Sequence, residues 1–326
     1  MGANKNSGNV FQRSMTMTKK LGKVGPLVAL LLLVLIMSVL SDSFFQASNL
    51  LNIIQQTSVN MIMAMGMTLI LISGGIDLSV GSVLALSGTS MALLATKVGL
   101  PSGIAIILGI GVAVLIGVIN GFIISKTGIP DFIMTMGMLS IARSLALVIT
   151  GGLPVSRLPE SMTMVGATRL FGVIPFSGIV AMIITVLFWF IMKYTKIGRC
   201  AYAIGGNKEA ARASGINTFL YKILFNALMG FTVGVASLVQ IGRIYSANPV
   251  MGSGQELQVI AMVIIGGTNL NGGEGNIGGT VIGALIMGII ANGLNLLNVS
   301  SFWQQFFIGA IIVLVVVIDQ LKHKKN

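Results

Sequence analysis

The sequence predicts an all-α polytopic membrane protein with about ten transmembrane helices, broken helices and an internal duplication. Three observations predict it. Hydrophobic residues make up 55% of the 326 and charged residues only 9%, against roughly 25% charged in an ordinary soluble protein. Apolar runs close to membrane-spanning length recur along the chain. Two of them meet similar glycine-rich stretches, ISGGIDLSVGS (72–82) and IIGGTNLNGGEGNIGG (264–279), and repeated broken segments of this kind are a habit of transporters. The 42 glycines agree, because transmembrane helices pack through small residues. Gly117-xxx-Gly121, Gly230-xxx-Gly234 and Gly279-xxx-Gly283 are examples, although each spacing also arises by chance in a Gly-rich chain.

The first span is expected over 26–41. The second, 50–72, carries Gln55, Gln56, Thr57, Ser58 and Asn60 in its outer half. Amides at membrane depth need partners or water, so these residues either bond to other helices or line a watery path. The glycines at 74–75 break the helix, and Asp77 is placed to cap a third span, to about residue 95, with its carboxylate on free N–H groups. The fourth span covers 103–124 and the fifth 132–149. Arg143 lies toward the outer end of the fifth, where it either snorkels to the interface or serves as a functional charge. The outer segment 150–175 holds three prolines and reads as a connector or as a landing surface for an external partner. Spans six to ten are expected over 176–191, 223–241, 257–265, 278–297 and 301–318, with 243–254 an outer loop.

Charge sets the orientation. The net charge is +12, which taken alone would fit nucleic acid. Its distribution points to no nucleic acid partner but to the positive-inside pattern: Arg13, Lys19, Lys20 and Lys23 at the start, Lys322, Lys324 and Lys325 at the end, and six basic residues against Glu209 over 193–222. Both termini are therefore expected in the cytosol, as an N-terminal tail (1–24, disordered over about the first 20 residues) and a C-terminal tail (321–326). They flank a transmembrane domain (25–320) whose segment 193–222 is a cytosolic loop. No cleavable signal peptide is expected. Within the loop, Asn207 is a fair N-cap, Glu209 suits a first turn, and Gly215 can end a short helix over 207–214. Such a helix is a docking element or simply a solvated loop.

Catalysis is not expected. The one His is His323 and the one Cys is Cys200, so neither a His-based triad nor a metal cluster can be assembled, and no phosphate-binding loop occurs. No catalytic, cofactor-binding or metal site is predicted. Ion coupling needs a titratable group inside the membrane, and Asp77 is the strongest candidate.

Glu209-Ala210-Ala211 followed by Gly215 resembles the EAA-loop signature of permease subunits of ATP-binding-cassette (ABC) importers. The run AYAIGGNKEAARASGI (201–216) is similar to the version in ribose and related monosaccharide permeases, a branched-chain-permease-like family. NIIQQTSVNMIMAMGMTLILISGGIDLSVGSVLALSG (52–88), the second glycine stretch and NGLNLLNVSS (292–301) extend the resemblance over nearly the whole chain, with 150–175 and the N-terminus matching least. The resemblance implies a permease of the bacterial cytoplasmic (inner) membrane, surrounded by lipid and paired with a second copy of itself. It also implies a cytosolic ATPase subunit holding ATP and Mg, and an extracytoplasmic sugar-binding protein. Asn207, Glu209, Ala210, Ala211, Arg212, Ser214 and Gly215 would then form the coupling helix. A neutral sugar needs hydrogen-bonding groups without fixed charge, which singles out Gln55, Gln56, Asn60, Asn292 and Asn295, together with Asp77, as the translocation path. An ion-gradient-driven sugar transporter and a passive sugar channel are the competing readings.

Overall fold

The computed structural model describes residues 25–323; the expected N-terminal tail and the last three residues lie outside it. The chain forms α1 (Gly25–Leu40), α2 (Ala47–Ile72), α3 (Val80–Thr96), α4 (Ser102–Thr127), α5 (Asp131–Thr150), α6 (Glu160–Ala167), β1 (Arg169–Leu170), β2 (Ile174–Pro175), α7 (Phe176–Tyr194), α8 (Lys196–Gly206), α9 (Lys208–Ala213), α10 (Thr218–Ile244), α11 (Gln255–Ile265), α12 (Ile277–Leu296) and α13 (Ser301–His323). Among the described residues, β-pairing occurs in the small antiparallel hairpin β1–β2, which pairs Arg169 with Pro175 and Leu170 with Ile174, and in a single bridge between Val155 and Ala247.

The core is built around α2. From Ile62 to Ile72 every residue is buried, and α7, α10, α11 and α12 surround it. A helix that is apolar on all sides is a buried one, which is why this stretch sits at the centre. The outward faces of α1, α4, α5, α7 and α13 expose large apolar side chains such as Leu35, Ile107, Ile133, Met182 and Phe302. Apolar surface this extensive suits a nonaqueous surrounding. Six described helices (α2, α4, α5, α7, α10, α12) are long and apolar enough to cross a membrane, and the chain is a multi-pass membrane protein.

The three small-residue spacings are contact seams. A Cβ at Gly117 would overlap the Asn226 carbonyl oxygen, one at Gly121 would lie 2.6 Å from Ile223 Cα, one at Gly230 would overlap the Ala113 carbonyl oxygen and one at Gly234 would lie 2.9 Å from Ile110 Cα. The motifs of α4 and α10 therefore pack against each other. Gly279 and Gly283 of α12 likewise meet Gly266 and Met262 at the end of α11. Close backbone approach of this kind is how helices adhere in a membrane.

Three described apolar helices expected as spans, α1, α3 and α11, are shorter than the six long ones. The α11 helix has 11 residues, about 16 Å long against the ~30 Å hydrocarbon core. The segment expected as an outer loop, 243–254, begins as the last two residues of α10, and its remainder, 245–254, folds inward. Gly252 and Gly81 lie backbone to backbone, and Asn60 Nδ2, midway along α2, donates to Gln258 Oε1 at 3.0 Å. The N-termini of α3 and α11 thus face each other halfway along the bundle. One has the extended lead 73–79 and the other the lead 245–254. Ser79, not Asp77, is the N-cap of α3; Asp77 instead accepts hydrogen bonds from the Ser79 N–H at 2.8 Å and the Ser79 hydroxyl at 2.6 Å.

Arg143 does not extend to an interface. Its Nη1 donates to the carbonyls of Pro249 (2.6 Å) and Met251 (2.8 Å), pinning the inward-folded segment to α5. Arg143→Met is expected to leave both carbonyls without this donor. The cost is about 1–3 kcal/mol per buried group, read as a lowered thermal unfolding temperature of the purified protein in detergent. An unchanged temperature would mean that the segment holds its shape without the arginine.

Candidate functional site

The segment 193–222 is more structured than a loop. Thr195 caps α8, its Oγ1 accepting from Ile197 N–H at 3.1 Å, and α8 buries Gly198, Ala201 and Ile204. One residue later Asn207 caps α9, its Oδ1 accepting from Ala210 N–H at 2.9 Å. The α9 helix ends where Gly215 takes φ +83°, with Gly215 N–H on the Arg212 carbonyl and Ile216 N–H on the Ala211 carbonyl. Only a residue tolerant of positive φ closes a helix this way. Asn207, Glu209, Ala210, Arg212, Ser214 and Gly215 are exposed, whereas Ala211 is buried and seats α9 on the body. The six exposed residues form one surface.

Beneath that surface, α8 lies across both glycine turns. After α2 the backbone turns with Ser73, Gly74 and Gly75 N–H on the carbonyls of Leu69, Leu71 and Ile70. After α11 it turns with Gly266, Gly267 and Thr268 N–H on Met262, Ile264 and Val263, the same pattern. Asn269 Oδ1 accepts from Asn271 N–H at 2.9 Å as Asp77 does from Ser79. The two turns touch, since Gly273 N–H donates to the Ile72 carbonyl at 2.9 Å. Tyr202 of α8 donates its hydroxyl to the Gly275 carbonyl at 2.8 Å, and burial pushes its phenol pKa up, so it remains a donor. The Lys222–Asp131 ion pair covers the first turn beside Gly75.

The six predicted path residues fall into three groups. Gln55, Gln56 and Asn60 share α2. Gln55 Nε2 donates to the Gly166 carbonyl at 3.2 Å, Gln56 is partly buried, and Asn60 meets Gln258 as described. On α12, Asn292 exchanges amide hydrogen bonds with Asn49 at 2.8 and 3.1 Å, while exposed Asn295 accepts from Gln304 Nε2 at 2.8 Å. Asp77 lies apart, held by Ser79, whose hydroxyl also accepts from Asn120 Nδ2 at 3.3 Å.

Sequence reasoning missed the first turn of α11. Gln255, Glu256 and Gln258 stand where the N-termini of α3 and α11 converge, and a Cβ at Gly81 would lie 2.6 Å from Glu256 Oε2. Two positive helix ends favour a carboxylate there. The available signal was the Gly/Pro-dense run before an apolar run too short to cross. At the opposite end of the bundle from α9, a hollow of about 680 Å³ is lined by residues including Ala95, Lys97, Thr150, Pro154, Arg157 and Pro159.

Residues 49–316 match the family described as branched-chain amino acid transport system / permease component. The chain is 43% identical over 304 residues to the ribose import permease protein of Escherichia coli (strain K12), covering 91% of this chain and 93% of that protein. It is 41% identical over 302 residues to the ribose import permease protein of Bacillus subtilis (strain 168), covering 92% and 93%. To the D-allose transport system permease protein of Escherichia coli (strain K12) it is 37% identical over 303 residues, covering 93% of each.

Proposed function

Because the chain belongs to the branched-chain amino acid transport system / permease component family, we propose that it is the membrane permease of an ATP-driven, binding-protein-dependent monosaccharide importer, with ribose the favoured sugar. It is a transport component, with the ATPase on a separate subunit. The observation that carries the reading is the exposed, capped α9 with its Glu209-Ala210-Ala211 run, on a chain alike over nine tenths of its length to ribose and allose permeases. The exposed residues Asn207, Glu209, Ala210, Arg212, Ser214 and Gly215 dock on the ATPase, which holds ATP and Mg. The α9 end faces the cytosol, as its basic charge requires, and both termini lie there. The protein sits in the lipid of the bacterial inner membrane as one of two copies.

Ten crossings follow if α3 is counted with its extended lead 73–79 and α11 with its lead 245–254, alongside α1, α2, α4, α5, α7, α10, α12 and α13. The alike turns at 72–82 and 264–279 are the vestige of a duplication. The sugar passes from the hollow beside 150–159, where the binding protein delivers it, along the amides of α2 and the first turn of α11. There the neutral amides of Asn60 and Gln258 offer hydrogen bonds to hydroxyls, beside the Glu256 carboxylate. Alternating access moves these broken segments. A gradient-driven carrier would need a free titratable group in the path, whereas Asp77 is engaged by Ser79 and Glu256 accepts from the Gly254 N–H at 3.3 Å.

The test is uptake of labelled ribose, allose, xylose and fructose by cells stripped of their own sugar permeases and supplied with this chain, its ATPase and its binding protein. Ribose uptake that outcompetes the others is expected. Uptake of branched-chain amino acids and of no sugar would overturn the assignment.

A further inference from the structure

The α8 helix is the joint between the docking helix and the broken segments. A Cβ at Gly205 would overlap the Ile72 carbonyl oxygen and lie 2.7 Å from the Gly273 nitrogen. These are the two atoms whose hydrogen bond ties the α2 turn to the α11 turn. A Cβ at Gly272 would lie 2.9 Å from Gly74 Cα and from the Gly205 carbonyl oxygen, and one at Gly273 would lie 3.0 Å from Gly206 Cα. Three backbones therefore meet with no side chain between them. Tyr202, one helical turn earlier, holds the Gly275 carbonyl. At this same C-terminal end α8 runs into α9 through the single residue Asn207. A backbone-to-backbone contact cannot yield by a rotamer change, so a displacement of α9 is transmitted through α8 to both turns as a rigid push.

We propose that Gly205 and Tyr202 are positioning residues of the transport cycle: they make α8 a relay that moves the inner ends of α2 and α11 together when the ATPase moves α9. This rests on the importer reading given above. It goes beyond that reading by assigning the transmission to α8 and to two named residues that touch neither ATPase nor sugar.

The experiment measures sugar imported per ATP hydrolysed in proteoliposomes holding the permease, its ATPase and the sugar-loaded binding protein. Gly205→Ala is expected to keep the ATPase bound and hydrolysing while sugar per ATP falls about fivefold or more, the scale of a typical coupling between sites. Tyr202→Phe removes one hydroxyl without adding bulk, and is expected to lower the ratio about two- to tenfold, the scale of one hydrogen bond. A purely structural role would lower the amount of complex and leave the ratio unchanged. If Gly205→Ala does not accumulate, Tyr202→Phe decides, and a ratio equal to that of the parent protein overturns the relay. Parent protein that imports no sugar with ATP present would instead overturn the importer reading itself.

Discussion

Glu209→Lys is expected to abolish ATP-driven sugar uptake while the protein still accumulates in the membrane. The α9 helix has six residues, too few to be stable alone, so it depends on its cap, its C-terminal glycine and the seating of Ala211. Glu209 occupies the first turn, where a carboxylate contributes about 0.3–1 kcal/mol against the helix dipole and a cation loses as much. The loss within the chain is small because the site is exposed. At a docked interface it is large, since reversing a charge that complements the partner costs several kcal/mol. Co-purification of the ATPase and uptake in membrane vesicles check it together. Gly215→Leu should act through the backbone, because φ +83° disfavours any side chain although the space around it is open. Retention of both ATPase binding and uptake in Glu209→Lys would remove α9 from the docking surface.

Gly230→Leu is expected to have the larger effect on the molecule as a whole, namely loss of folded protein. The added side chain would start inside the Ala113 carbonyl oxygen and 2.9 Å from Val114 Cα, so α4 and α10 must separate. Overpacking a core typically costs about 1–3 kcal/mol and occasionally more; backbone atoms, which cannot repack, place this site at the upper end. Gly137→Leu is the control. Gly137 lies mid-helix in α5 with nothing within 4 Å of a new Cβ, and replacing a helical glycine gains up to about 1 kcal/mol of propensity. Size-exclusion chromatography of a fluorescent fusion, before and after heating, should show Gly230→Leu aggregated and Gly137→Leu intact. Equal behaviour of the two would mean that the α4–α10 seam is not a point of stability.

What the sequence made legible is what local chemistry decides. The helix expected over 207–214 forms as α9 at 208–213, because an Asn cap and a positive-φ glycine act on their own few residues. Most long apolar runs became helices close to their expected ends for the same reason. What long-range packing decides was not legible. KIGRCAYAIGG carries three glycines and reads as loop, yet it forms α8 because Gly198, Ala201 and Ile204 find a surface to bury against. The Gly-xxx-Gly spacings do not name their partners; only the fold shows that Gly117 and Gly230 belong to one seam. Arg143 offered no sign that its donors would reach the carbonyls of Pro249 and Met251 across the bundle. The inward fold of 245–254 likewise depends on Gly81, far away in sequence. For the same reason the six path residues, chosen by residue type, fall into three separate groups.

The most direct test of the account is uptake by proteoliposomes containing this chain, its ATPase and sugar-loaded binding protein, with ATP present or withheld. The account predicts that sugar enters only when ATP, the ATPase and the binding protein are all present, and that loaded binding protein raises hydrolysis. Sugar entry through this chain alone, without ATP or partners, would contradict it and make the broken-helix path a channel in its own right.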